Sequence, residues 1–148
     1  TAIGANQSGN FRIITKICVN LCNLWQKNKI MYELLFWQYH DGIYLNHHLV
    51  YEALVEQQEV EGLETLPVQV ILNRIHSVFS SWEKVDENSW KNTKGKGAFQ
   101  IKTTPQSIQI DCYGTEGKTM NLLADTLEEF KCPLYDPQIP VRYDEMSE

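Results

Sequence analysis

Residues 98–113 read Ala98-Phe99-Gln100-Ile101-Lys102-Thr103-Thr104-Pro105-Gln106-Ser107-Ile108-Gln109-Ile110-Asp111-Cys112-Tyr113. Side chains alternate between the two faces of a strand, so Phe99 and Ile101 fall on one face and Gln100 and Lys102 on the other. After the turn formers Thr104-Pro105-Gln106 the alternation resumes, with Ile108, Ile110 and Cys112 turned inward. Two alternating runs around a short turn predict an antiparallel hairpin with one wet face.

Working outward, Gly114 to Lys118 leads into a helix whose buried stripe is Met120, Leu123, Ala124, Leu127 and Phe130. Cys132-Pro133-Leu134-Tyr135 then reads as a short last strand and Asp136-Pro137 as a turn. Upstream, Val68, Ile71, Leu72, Ile75 and Phe79 recur at helical spacing behind Pro67, which suits a first helical turn. Ahead of that helix, Asn46 is fit to cap another over His47 to Glu59, with Val50, Ala53 and Leu54 on one face. Tyr32 to Tyr39 is an aromatic, near-continuous apolar run, the pattern of a central strand covered on both sides. The polar stretch from Ser80 to Lys96 reads as a loop with a short strand near Trp82 or Trp90.

The order is strand, two helices, two strands, helix, strand. That order predicts an α+β two-layer sandwich: a mainly antiparallel sheet with helices on one face, a ferredoxin-like or split βαβ variant.

The whole chain has 148 residues and a net charge of -6, with 43% hydrophobic and 22% charged residues. This is the composition of one globular domain, and it excludes a disordered or collagen-like chain. The charge is uneven. Residues 1–30 hold Arg12, Lys16, Lys27 and Lys29 and no acid, whereas 31–148 carry 9 bases against 19 acids. The break at Met31 predicts a single α+β domain over 31–148, with 1–30 as an N-terminal appendage outside the natural protein, so that deleting 1–30 leaves the rest folded. The competing reading is an N-terminal helix, since Ile13, Ile14, Ile17, Leu21, Leu24 and Trp25 approximate a 3.6-residue period. Lys16, Asn20 and Asn23 interrupt that run, so it is neither a signal-peptide core nor a membrane span.

A metal site finds little support. The four cysteines, Cys18, Cys22, Cys112 and Cys132, form no Cys-x-x-Cys pair and have no matching histidine cluster; free buried thiols in a reducing cytoplasm are expected. His47 and His48 point about 100° apart on a helix and cannot chelate together. They are read as solvent-facing. Gly95-Lys96-Gly97 lacks the Ser/Thr and the strand–helix context of a phosphate loop. No catalytic residue and no cofactor are expected.

The acids carry more information. Glu52, Glu56, Glu59, Glu61 and Glu64 crowd the first helix and the loop after it, and Glu83, Asp86 and Glu87 follow the second helix. An acidic chain does not suit nucleic acid, whose phosphates call for a basic face. The bland reading is a solvated face. The sharper one is a negative surface that steers a basic partner, with Glu56, Glu59, Glu61, Glu64, Asp86 and Glu87 as contacts and Trp82 and Trp90 as anchors if exposed.

Several stretches carry a resemblance. Met31-Tyr32-Glu33-Leu34-Leu35-Phe36-Trp37, Val50-Tyr51-Glu52-Ala53-Leu54, Val60-Glu61-Gly62-Leu63, Leu66-Pro67-Val68, Ile110-Asp111-Cys112-Tyr113-Gly114 and Cys132-Pro133-Leu134-Tyr135-Asp136-Pro137-Gln138 resemble small bacterial proteins that open on a Tyr-x-x-x-Phe-Trp strand. Such proteins look like immunity partners encoded beside polymorphic or contact-dependent toxins. The resemblance covers Met31 to about Arg142 and implies a non-enzymatic cytoplasmic inhibitor that binds a cognate protein toxin. It involves no membrane and carries over no catalytic residue. Together with the acidity it points to a basic nuclease whose active site is occluded. The alternatives are a regulatory or small-ligand module, marked by a deep apolar pocket, and an enzyme using His40, His47 or His76 with a carboxylate, marked by a cleft around one of them.

Overall fold

The computed structural model describes residues 31–94 and 97–143. The stripe at 13–25, Cys18, Cys22, Gly95, Lys96 and the acidic residues 144–148 lie outside the described residues. In chain order the elements are β1 (Tyr32–Phe36), α1 (His47–Val55), α2 (Val68–Val78), β2 (Glu83–Asp86), β3 (Ser89–Lys91), β4 (Ala98–Thr104), β5 (Ser107–Tyr113), α3 (Gly117–Glu128), β6 (Leu134–Asp136) and β7 (Val141–Arg142).

The β4–β5 hairpin has the expected register, with Phe99 opposite Cys112, Ile101 opposite Ile110 and Thr104 opposite Ser107. Its turn is tied by Thr104 Oγ1, which lies 2.8 Å from Ser107 Oγ and accepts from Gln106 N at 3.1 Å. Around it the sheet grows to seven strands in the order β2-β3-β4-β5-β1-β6-β7, every neighbouring pair antiparallel. The fold is therefore α+β, an open antiparallel sheet with three helices.

One face carries the main core. Tyr32, Leu34 and Phe36 of β1, with Phe99, Ile101, Ile108, Ile110 and Cys112, pack against Ile71 and Ile75 of α2 and Met120, Leu123, Ala124 and Leu127 of α3. Both predicted helical stripes are thus the buried ones. Each fully buried Ile or Leu contributes roughly 1.5–3 kcal/mol, so these stripes hold the helices to the sheet.

The expectation that all helices share one face fails. Leu35, Trp37 and Tyr135 point to the opposite side of the central strands and share a second core cluster with Val50 and Leu54 of α1. An apolar patch on that side has to be covered, and α1 covers it, adding a third layer there. Arg142 is buried beside this cluster, with its guanidinium 4.8 Å from the Trp37 ring centre and 4.6 Å from that of Tyr39.

Several boundaries also differ. β1 ends at Phe36, and Tyr39 forms only an isolated bridge to Leu63. α1 stops at Val55, because Gln57 takes a positive φ of 62° that no right-handed helix accepts. Within the stretch read as a loop, residues 83–91 form the β2–β3 hairpin at the sheet edge: the short strand expected near Trp90 is β3, and β2 is added to it.

The Cys132–Gln138 motif does structural work. The buried Asp136 carboxylate accepts from the Tyr32 hydroxyl, from Gln138 N at 2.9 Å and from Gln138 Nε2. The Gln138 side chain also accepts from Glu33 N at 2.9 Å and donates to Glu33 O at 3.0 Å. A side-chain amide thereby continues the β1 ladder past its last pairing with β6, Leu35 with Tyr135. Cys112 and Cys132 are both buried; burial pushes the Cys132 thiol up to about 12. No helix among the described residues is long and apolar enough to cross a membrane.

Candidate functional site

Beyond β1 the chain turns at Asp41-Gly42, where Gly42 takes a φ of 78° that favours glycine. It then runs Ile43-Tyr44-Leu45 to Asn46. The Asn46 side chain accepts from His48 N and Leu49 N, both at 3.1 Å, and starts α1. The segment is held from beneath. The Tyr39 hydroxyl lies 2.8 Å from His47 Nδ1 and 3.3 Å from the Leu45 carbonyl, and the Tyr39 and Tyr44 rings are 5.2 Å apart. His47 is accordingly half-buried among aromatic rings, contrary to the solvent-facing reading.

Anchored in this way, the segment holds apolar side chains in water. Tyr44 is 60% and Leu49 62% exposed, and Ile43 and Leu45 are exposed between them. Leu49 lies off the Val50/Leu54 stripe, about 100° round the helix from Val50. Other exposed apolar residues, such as Val70, Val85 and Leu122, stand on separate elements. Four such exposed side chains fall within seven residues, a local concentration of apolar surface at the start of α1.

Acids stand on the same loops and helix as these side chains. A Cβ added at Gly62 would meet Ile43 Cγ2 at 3.0 Å and Leu45 Cδ1 at 3.7 Å, so the Gly62 backbone, next to Glu61 in the chain, lies against them. Glu64 pairs with His40 Nδ1 at 2.8 Å. Asp41, Glu52 and Glu56 are exposed on the same loop and helix.

The expected contacts thus divide. Glu56, Glu59 and Glu61 are exposed, and Glu64 is engaged with His40. Asp86 and Glu87 are exposed on the β2–β3 turn; the Asn88 backbone N–H, at 2.9 Å, holds the Asp86 carboxyl below its usual range. β2 lies four strand positions from β1, about 19 Å at roughly 4.8 Å per strand, so the two acidic groups do not form one patch. Trp90 is 1% exposed and stacks on Phe99, which makes it a core residue and removes it as an anchor. Trp82 is half-buried against Phe79 and Phe99. The aromatic most exposed among the described residues is Tyr44, followed by Tyr113 on β5, and neither was expected as an anchor. The signal for Tyr44 was an apolar tripeptide between a glycine turn and a helix cap, with no inward periodicity.

A second polar group lies on the α1 side of the sheet. Glu33 stands directly across from Asp111. Burial pushes the Glu33 carboxyl up, and the Tyr51 hydroxyl donates to it at 3.2 Å. Burial likewise takes Tyr51 up to about 12. Asp111 is satisfied by Lys102 Nζ at 3.2 Å and Gln109 Nε2 at 3.0 Å. These contacts tie β1, β4, β5 and α1 together. Among the described residues no three His, Cys, Asp or Glu side chains are placed to hold a metal ion. Comparison with family models, with curated proteins and with solved structures finds no match to this chain.

Proposed function

We propose that this chain is a non-catalytic binding protein of the immunity type, which neutralises a basic protein toxin in the cytoplasm by covering its active site. The observation that carries the reading is the exposure of Ile43, Tyr44, Leu45 and Leu49 at the start of α1, with Asp41, Glu52, Glu56, Glu61 and Glu64 on the same helix and its flanking loops. Apolar and aromatic side chains supply the desolvated contact from which most binding energy comes, and the acids supply steering and register against a basic surface. The net charge of the chain, -6, adds long-range attraction. A nuclease is the toxin class this suits best, because its substrate groove is built to receive phosphates and would receive carboxylates instead. The resemblance of the Tyr32–Trp37 and Cys132–Gln138 stretches to immunity proteins supports the same reading.

The scaffold is read as a ferredoxin-like, split βαβ variant. Support comes from the connectivity β1-α2-β4-β5-α3-β6, the order β4-β5-β1-β6 within the sheet, and the packing of α2 and α3 on one face. The β2–β3 hairpin, β7 and α1 are then additions to that core.

The test is co-expression with the product of the adjacent reading frame, scored by copurification and by rescue of growth. Leu49→Asp with Tyr44→Ala is expected to abolish rescue. Glu61→Lys with Glu64→Lys is expected to slow association and weaken its salt dependence. Full rescue by both double variants would refute the assignment of this surface, and a neighbour that neither binds nor inhibits growth would refute the immunity reading.

A further inference from the structure

His48 and Glu52 stand about one turn apart on α1, at the i, i+4 spacing that places two side chains on one helix face. Both side chains reach solvent, 48% and 58% exposed, and their facing atoms, His48 Nε2 and Glu52 Oε2, are 3.5 Å apart. That is well beyond the roughly 2.7–2.9 Å of a charge-assisted hydrogen bond. It is the edge length of a tetrahedral metal site: two ligands about 2.0–2.2 Å from one ion, at roughly 109°, lie about 3.3–3.5 Å from each other. His40 Nδ1 and Glu64 Oε2, by contrast, are in direct contact at 2.8 Å, too close to share an ion.

The His48 ring is held by its other nitrogen. His48 Nδ1 lies 2.9 Å from the hydroxyl of the buried Tyr135, and the ring packs beside Tyr51 with 5.5 Å between centres. A metal-binding imidazole gives its second N–H to an oxygen, which fixes the ring and leaves the lone pair of the first nitrogen for the ion. The Tyr135 hydroxyl can accept that N–H, so it permits the tautomer with an open Nε2. The Asn46 cap fixes the first turn of α1, and with it the backbone that carries His48. An imidazole nitrogen with a carboxylate oxygen is a donor pair for zinc and the neighbouring late transition ions, whereas magnesium takes an octahedron of oxygens.

We propose that His48 Nε2 and Glu52 Oε2 form a two-ligand site for a divalent ion of the zinc class, which clips the first turns of α1 together and keeps water in its remaining positions. Two protein ligands accord with the lack of any metal-binding group of three among the described residues. The site is a property of this chain alone and does not rest on the immunity reading.

The full ¹⁵N-labelled chain is titrated with zinc chloride at about pH 7.5, where an ordinary imidazole is mostly neutral, with magnesium chloride at equal ionic strength as the reference. Long-range proton–nitrogen spectra separate the four histidines, and the His48 signals are identified by their loss in His48→Gln. The expected result is a saturable movement of His48 Nε2 and of the amides of Leu49 to Ala53 with zinc and not with magnesium. Half the donor set of a structural zinc site corresponds to a Kd between about 1 μM and 0.2 mM. His48→Gln should abolish the response in α1. Tyr135→Phe should weaken it by about 10–100-fold, as loss of the outer hydrogen bond from a ligating histidine does, and Glu52→Gln by at least as much. No movement at His48 beyond the magnesium reference up to about 2 mM zinc, tenfold above the weakest expected Kd, would overturn the proposal. So would a zinc response centred on His40, His47 or His76, or an unchanged affinity in Glu52→Gln.

Discussion

Replacing Asp136 by alanine removes the acceptor on which three donors converge: the Tyr32 hydroxyl, Gln138 N and Gln138 Nε2. At roughly 0.5–1.5 kcal/mol for each intramolecular hydrogen bond, the loss is about 3 kcal/mol. The β1–β6 junction then depends on two paired residues and on a Gln138 amide no longer held in place. For a domain of this size about 3 kcal/mol lowers the melting temperature by roughly 10–15 °C, readable by circular dichroism with urea titration alongside. Asparagine separates hydrogen bonding from charge. Burial pushes the Asp136 carboxyl up, outweighing the bonds from Tyr32 and Gln138 that pull it down. The folded state therefore holds this proton more tightly than the unfolded chain. The Asp136 contribution is most favourable at low pH and declines as pH rises through its folded-state value. Asp136→Asn keeps an oxygen for Gln138 and offers an amide N–H to Tyr32, so it should cost under about 1 kcal/mol and flatten the acid side of the stability profile. An alanine variant within about 1 kcal/mol of the parent, or an asparagine variant as damaged as alanine, would refute the account.

Other expectations concern separate parts of the molecule. Glu33→Gln should stabilise the protein at neutral pH by about 0.2–1 kcal/mol, the scale of a like-charge cross-strand pair. The gain should vanish below the ordinary glutamate value of 4.5, where both states are protonated; pH-resolved urea titrations decide it. Asn46→Ala should cost about 1 kcal/mol by removing the cap of α1, and hydrogen exchange should quicken in α1 while α2 is unaffected. Cys132, with its thiol pushed to about 12, should resist alkylation at pH 8 in the native protein and react fully in denaturant; native labelling at the denatured rate would contradict its burial.

The parts of the fold that could be read in advance are those in which burial imprints a period on the sequence. The β4–β5 alternation and the stripes of α2 and α3 each have one wet side, so side-chain chemistry records which way the backbone faces. β2 leaves no such record: Glu83, Lys84, Val85 and Asp86 are all exposed, and the strand is defined by its ladder to β3. The run Leu34-Leu35-Phe36-Trp37 did announce cover on both sides of the sheet, but only tertiary packing shows that α1 provides the second cover. At the candidate surface the exposure of Glu56, Glu59 and Glu61 follows from charge. The choice between Trp90 and Tyr44 as the more exposed aromatic does not, because an aromatic ring suits core and interface equally.

The outer strand β2 has a consequence for the fate of the molecule in a crowded solution. An open sheet ends in a row of unsatisfied backbone groups onto which another chain can add. Here that row is short, its register is broken between Lys84 and Asp86, and three of its four side chains are charged. Two copies meeting edge to edge in antiparallel fashion would bring Glu83 against Asp86 and gain too few bonds to offset the repulsion. The ladder terminates itself, and growth into fibrils through this margin is blocked by the same residues that make the strand inconspicuous.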